Sequence, residues 1–131
     1  GSLDFRPNEE SVLWILNQVC PLLETSGFKG MIEIIGKGAS SEVKKRSARF
    51  PFVRVYGFLE DVESHWISWD ALLCPNIGGS GTRIKFSEAL LSDVPVIVNS
   101  QTRDRMDSNL SDDGNVRCSD DPKEWCHWIM G

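Results

Sequence analysis

Gly78, Gly79 and Gly81 stand directly before residues 82 to 92, a segment with Ile84, Leu90 and Leu91 as its apolar contacts and Glu88 as its single acidic residue. A glycine-rich turn that opens a helix suits one chemistry above others, the binding of an anion. Glycines let a ligand approach the backbone closely, and the free N–H groups of the first helical turn attract negative charge through hydrogen bonds and the helix dipole. The ligand this points to is phosphorylated. Many glycine-rich turns only reverse the chain, so the surrounding elements must decide between the two readings.

Pro7-Asn8-Glu9-Glu10 reads as a helix start with Asn8 as N-cap, and Val12, Leu16, Val19 and Leu23 continue at helical spacing through residues 9 to 25. Pro21 should kink or shorten the last turn of that helix. Met31 to Ile35 reads as a strand ending at Gly36-Lys37-Gly38. The polar stretch Ser40 to Arg49 is expected to be a short exposed helix, followed by a strand over Val53 to Tyr56 that ends at Gly57. Residues 61 to 69 have helical character, with Val62, Trp66 and Trp69 as apolar contacts. Ala71 to Cys74 is apolar enough for a strand covered on both faces, and Val94 to Val98 reads as a further strand, with the helix 82 to 92 between them. Asn99 to Asn115, rich in Asp, Ser, Asn and Arg, reads as a mobile loop; a strand over Val116 to Cys118 and a helix from Pro122 to Met130 complete the chain.

Strands and helices therefore alternate, and the fold expected is α/β: a Rossmann-like parallel sheet with helices on both faces. Ligands bind such folds at the C-terminal ends of the strands. Gly36 to Gly38, Gly57 to Leu59 and Pro75 to Thr82 all follow strands. Three ligand-suited turns at one kind of position favour a binding site over three chance reversals.

The chain has 131 residues, 40% of them hydrophobic and 25% charged, which suits a single globular domain over residues 1 to 131. A formal net charge of -5 disfavours nucleic acid or an anionic membrane surface as the main partner, because both require a basic face. Arg6, Lys37, Arg83 and Lys85 can still form a local anion site. No apolar run approaches the ~20 residues of a membrane span and no segment resembles a signal peptide, so a cytoplasmic location is expected. Cys20, Cys74, Cys118 and Cys126 lack C-x-x-C spacing and read as buried free thiols rather than a zinc or disulfide framework. His65 and His127 sit beside tryptophans in helical segments and read as structural. The five tryptophans fall at helical positions and read as packing, some of them exposed as an apolar patch that would promote self-association.

Several segments in order resemble one family. They are Gly1-Ser2-Leu3-Asp4-Phe5-Arg6-Pro7-Asn8, Ile35-Gly36-Lys37-Gly38, Val55-Tyr56-Gly57-Phe58 and Gly79-Ser80-Gly81-Thr82-Arg83-Ile84-Lys85, with Glu88-Ala89-Leu90 and Pro95-Val96-Ile97 behind them. Together they resemble the donor-binding C-terminal half of GT-B glycosyltransferases, in the retaining, family-4-like group of sugar transferases. The resemblance implies a hexosyltransferase whose donor is a UDP- or GDP-type sugar and whose acceptor is a glycan, lipid or protein. It also implies a separate N-terminal domain, outside this chain, that binds the acceptor, supplies catalytic groups and makes any peripheral membrane contact.

Residue by residue, the resemblance gives Glu88 the ribose hydroxyls, in keeping with a carboxylate's ability to accept two hydrogen bonds. The N–H groups of Thr82, Arg83 and Ile84, after Gly81, face the diphosphate, with Arg6 in the first loop and Lys85 or Arg83 as cations. Lys37 and Gly38 border phosphate or base, and Phe58 and Leu59 flank the base. Exposed loop residues are the competing reading for Arg6 and Lys37, and core packing is the competing reading for Phe58. Ser80 stands where many relatives carry a glutamate that touches the transferred sugar. No metal and no cofactor beyond the donor substrate is expected, since no Asp-x-Asp pair lies near the phosphate turn. Two other readings stay open: half of a sugar-nucleotide epimerase or hydrolase, and a non-catalytic regulatory or interaction module on the same fold.

Overall fold

A computed structural model describes residues 3, 4, 6–57, 69–75, 95–104 and 116–131. They fall into two compact units, Gly1–Glu60 with Asp121–Gly131, and Asp61–Asp120. Every described strand pairing is parallel, and among the described residues a helix stands between the two strands of the two-stranded sheet and another between the second and third strands of the three-stranded sheet. The α/β expectation is met.

The first unit opens with α1 (Arg6–Trp14), which runs through a π-helical turn (Ile15–Val19) into α2 (Cys20–Thr25). Leu16, Val19 and Leu23 are buried along one face as their spacing requires, with Val12 half-buried. The start differs from the sequence reading: Asn8 lies inside α1 rather than capping it. Pro7 suits a first turn, where its missing N–H has no intrahelical role and its fixed φ is already helical. The last turn is not shortened at Pro21, since α2 runs on to Thr25. Its ring would crowd the carbonyl of Asn17 in a regular α-helix, and the preceding turn is widened instead, with the Cys20 N–H bonded to the carbonyl of Ile15.

Helix α2 ends in a Schellman motif. Gly27, at φ +75°, donates to the Glu24 carbonyl at 3.2 Å, and Phe28 donates to the Leu23 carbonyl at 3.0 Å. The chain then enters β1 (Ile32–Ile35), which pairs with β2 (Val53–Tyr56) in the register Ile32 to Val53 and Ile35 to Tyr56. Between them α3 (Ser41–Ser47) is capped by the Ser40 hydroxyl, which accepts from the Val43 N–H at 3.2 Å. Far from being wholly exposed, α3 buries Val43 and Ser47, one helical turn apart.

Helix α5 (Pro122–Met130) closes this unit, with Asp121 as N-cap accepting from the Lys123 N–H at 2.9 Å. It packs on α2 and the π-helical turn through Trp125, which is fully buried and meets the half-buried Trp14 edge-on at 5.1 Å. None of the described tryptophans, Trp14, Trp69, Trp125 and Trp128, is exposed. Packing rather than a surface patch accounts for them; Trp66 lies outside the described residues.

The second unit holds β3 (Leu72–Cys74), β4 (Val96–Val98) and β5 (Val116–Cys118), in the order β3-β4-β5. Cys74 aligns with Val98, and Val98 with Cys118. All three residues of the central strand are buried, as in a parallel strand covered on both faces. The expected loop over Asn99 to Asn115 begins instead with helix α4 (Ser100–Asp104). The Asn99 side chain accepts from the Thr102 N–H at 3.0 Å, and Arg103 donates to the Asn99 carbonyl at 3.0 Å. A polar segment thus forms a helical turn because its first residue supplies the cap. The rest of that loop reading, and the helices expected at 61 to 69 and 82 to 92, lie outside the described residues except Trp69, which the structure leaves outside any helix.

Candidate functional site

Parallel pairing puts the C-terminal ends of β1 and β2 side by side, and Gly36 donates from its N–H to the Tyr56 carbonyl at 3.2 Å. The Gly36-Lys37-Gly38 turn and the chain leaving Gly57 therefore emerge from the same edge, where ligands of α/β folds bind. The N-terminal turn comes to that edge as well. Leu3 donates to the Lys37 carbonyl at 2.7 Å, which fixes the turn from the opposite end of the chain segment.

Gly38 has φ +79°, and a Cβ placed there would lie 2.9 Å from the Cβ of Asp4. Both the backbone conformation and the approach of Asp4 call for glycine. We expect Gly38→Ala to destabilise the chain by about 1.5 kcal/mol, from left-handed strain plus displacement of the exposed Asp4 turn. Urea unfolding checks this, and a loss no larger than that of a surface alanine substitution would refute the need for glycine. Asp4 had no signal in the sequence, because its contact joins segments far apart along the chain.

Lys37 is exposed. Arg6 lies in the first turn of α1 rather than in a loop, with its side chain 87% exposed and its Nε donating to Glu10 Oε1 at 3.0 Å. Such an exposed i,i+4 pair stabilises a helix by only about 0.3–0.5 kcal/mol. The guanidinium can therefore exchange Glu10 for a phosphate at little cost. Of the sequence-derived site residues, Arg6, Lys37 and Gly38 are described, and the structure joins the Leu3-Asp4 turn leading to Arg6 with the turn that holds Lys37 and Gly38. Phe58, Leu59, Ser80, Gly81, Thr82, Arg83, Ile84, Lys85 and Glu88 lie outside the described residues.

In the second unit, Pro75 opens the segment that carries the glycines, and the strand end before it is tied down. Thr102, 1% exposed, donates from its hydroxyl to the Cys74 carbonyl at 3.1 Å. Next to it the Ser100 N–H donates to Asp120 Oδ1 at 2.9 Å. Hydrogen bonds from the hydroxyl and N–H of Ser100 hold the Asp120 carboxyl below its ordinary value. A carboxyl so lowered contributes stability that is present above the ordinary aspartate range and lost as pH falls through its folded value. Asp120→Asn should therefore melt below the wild type at neutral pH, with the two midpoints converging as pH falls below the ordinary aspartate range. A gap in thermal midpoint that stays constant on acidification would contradict this.

Cys20, Cys74 and Cys126 are buried, Cys118 is half-buried, and all four are free thiols. Burial pushes the Cys20 thiol up to about 12, so it stays protonated and unreactive at neutral pH. Among the described residues no group of His, Cys, Asp and Glu is arranged to hold a metal, and no helix is long and apolar enough to cross a membrane. His127 is exposed on α5.

The pattern that defines the glycosyl transferases group 1 family matches residues 1–130 of this chain. The chain belongs to that family. Its parallel strands and interleaved helices accord with the Rossmann-like C-terminal half of a GT-B fold, and the protein carries a group 1 glycosyltransferase domain. Donors in this family are typically nucleotide sugars. No curated protein matches the chain significantly.

Proposed function

We propose that this domain binds the donor of a glycosyltransferase that moves a hexose from a UDP- or GDP-type sugar to an acceptor with retention of anomeric configuration. One observation carries the reading: a group 1 glycosyltransferase chain holds Gly79-Ser80-Gly81-Thr82-Arg83-Ile84-Lys85, Glu88 and Pro95-Val96-Ile97 in that order. The turn edge formed by Gly36, Lys37 and Gly38 beside the Leu3-Asp4 turn supports it.

In this reading the leaving diphosphate is neutralised by the N–H groups of Thr82, Arg83 and Ile84 and by the cations Arg6, Lys37, Arg83 and Lys85. Oriented dipoles and fixed cations stabilise charge as it develops on the leaving oxygen, and they perform this task without a metal. Glu88 accepts from both ribose hydroxyls, and Phe58 and Leu59 flank the base. Ser80 offers one hydrogen bond where a glutamate would grip the transferred sugar more firmly. Acceptor binding and the remaining catalytic groups belong to an N-terminal domain, so this chain alone binds donor and does not transfer it.

The test is the anomeric proton of the product formed by the full-length enzyme from UDP- and GDP-hexoses, followed by NMR. Acceptor-dependent product with the donor's anomeric configuration is the expected result. Inversion would contradict retention, and donor turnover without any acceptor would favour an epimerase or hydrolase instead.

A further inference from the structure

The chain is acidic as a whole, yet the first unit gathers positive charge where its strands begin, at the end away from the turn edge. Residues 43 to 57 contain Lys44, Lys45, Arg46, Arg49 and Arg54 and no acid. Helix α3 turns Val43 and Ser47 inward, which leaves Lys44 and Lys45 exposed on it and Arg49 exposed just past its end. Arg46 is matched by Glu42, at 2.7 Å from its Oε1, and Arg54 stands beside Glu33 in the strand register. Lys29 is exposed as well and reaches the same place from the other strand. It leads into β1 as Arg49 leads into β2, and the two parallel strands start level, with the Ile32 N–H donating to the Phe52 carbonyl at 2.9 Å. The ground between these cations is apolar. The rings of Phe28 and Phe52 meet edge-on at 5.3 Å, those of Phe50 and Phe52 lie 5.5 Å apart, and the Arg49 guanidinium is 5.8 Å from the centre of the Phe50 ring. Met31, just before β1, is 48% exposed.

We propose that this end of the first unit docks on an anionic lipid surface, with Lys29, Lys44, Lys45 and Arg49 at the headgroups and Met31 entering the boundary below them. Charge complementarity selects the occupant, and the exposed methionine narrows it. Headgroups take the cations and the acyl boundary takes the apolar side chain, whereas an acidic peptide would use the cations and leave Met31 in water. The formal net charge of -5 does not oppose this contact, because charges more than about 8 Å away are largely screened at physiological salt and the surface senses the nearest face. Glu24, exposed near the end of α2, offsets part of the positive charge. The docking face is independent of the donor reading, whose turns lie at the far ends of the same strands.

The experiment is sedimentation of this chain with vesicles of phosphatidylcholine containing about 30% phosphatidylglycerol, and with vesicles of phosphatidylcholine alone, at about 0.1 M salt. Binding to the charged vesicles only, lost at about 0.5 M salt, is the expected result. Lys44→Gln combined with Lys45→Gln should weaken it about 20-fold, and Met31→Gln about threefold. Arg103→Gln combined with Lys123→Gln makes the same change of net charge at exposed positions away from this face and should weaken it less than about twofold. Should the first double variant not fold, Arg49→Gln carries the comparison, with a loss of about fivefold. No binding to the charged vesicles, equal binding to both kinds, or equal losses in the two double variants would overturn the docking face. Capture of polyglutamate by a chain that ignores the vesicles would overturn it too and give the face to an acidic protein segment.

Discussion

Trp125→Ala should remove about 4 kcal/mol of folding stability, the largest effect expected of any single truncation in the first unit. Trp125 has no solvent exposure and stands edge-on to Trp14 at 5.1 Å, where α5 meets α2 and the π-helical turn. Truncation to alanine leaves a large apolar cavity, because the surroundings relax only in part, and it also deletes the aromatic pair. Against the 5–15 kcal/mol that a domain of roughly this size commands, such a loss leaves little in reserve. Trp125→Phe keeps a ring in the site and should cost about half as much. Urea unfolding followed by far-UV circular dichroism separates the two, as a lowered midpoint at unchanged slope. A loss below about 1 kcal/mol for the alanine variant would show that α5 does not depend on this contact.

Glu88→Gln should weaken nucleoside diphosphate binding about 30-fold, or about 2 kcal/mol, without unfolding the chain. In the proposed site the carboxylate accepts from two ribose hydroxyls, and bonds to a charged acceptor are stronger than bonds to an amide oxygen. Glutamine keeps the shape and one acceptor oxygen but turns the other end into a donor, which faces a hydroxyl less well. Calorimetry on both chains with UDP and GDP measures the change. The matching 2'-deoxy nucleotide should lose affinity for the wild type and lose less for the variant, since the missing hydroxyl was already poorly matched. Equal affinity of wild type and variant would remove Glu88 from the site.

Much of this fold can be read from local pattern. The strands at 32–35, 53–56, 72–74, 96–98 and 116–118 are short apolar runs, and Asp121-Pro122 marks the start of α5 as clearly as a helix start can be marked. Helix α4 escaped because hydrophobic periodicity has no hold on Ser-Gln-Thr-Arg-Asp, where the signal lies in Asn99 and Thr102 three residues apart. The buried side of α3 rests on Val43 and Ser47 alone, too little for a period to show. At Pro21 the sequence announces a conflict with helix geometry and not its resolution, which depends on whether the preceding turn can widen.

The candidate site divides along the same line. Glycines, cations and Glu88 are visible as residue types in order, whereas the contact of Asp4 with Gly38 and the bond from Thr102 to Cys74 join distant segments. Tertiary contacts of that kind leave no local trace.

The central claim, that this chain binds a nucleoside diphosphate through its strand-end turns, is tested most directly by a two-dimensional amide NMR titration with UDP, GDP and ADP and their common sugar conjugates. Shifts confined to residues 36 to 38, 57 to 59 and 79 to 88, with one base preferred, are the expected result. No shift in those turns with any nucleotide at millimolar concentration would contradict the claim.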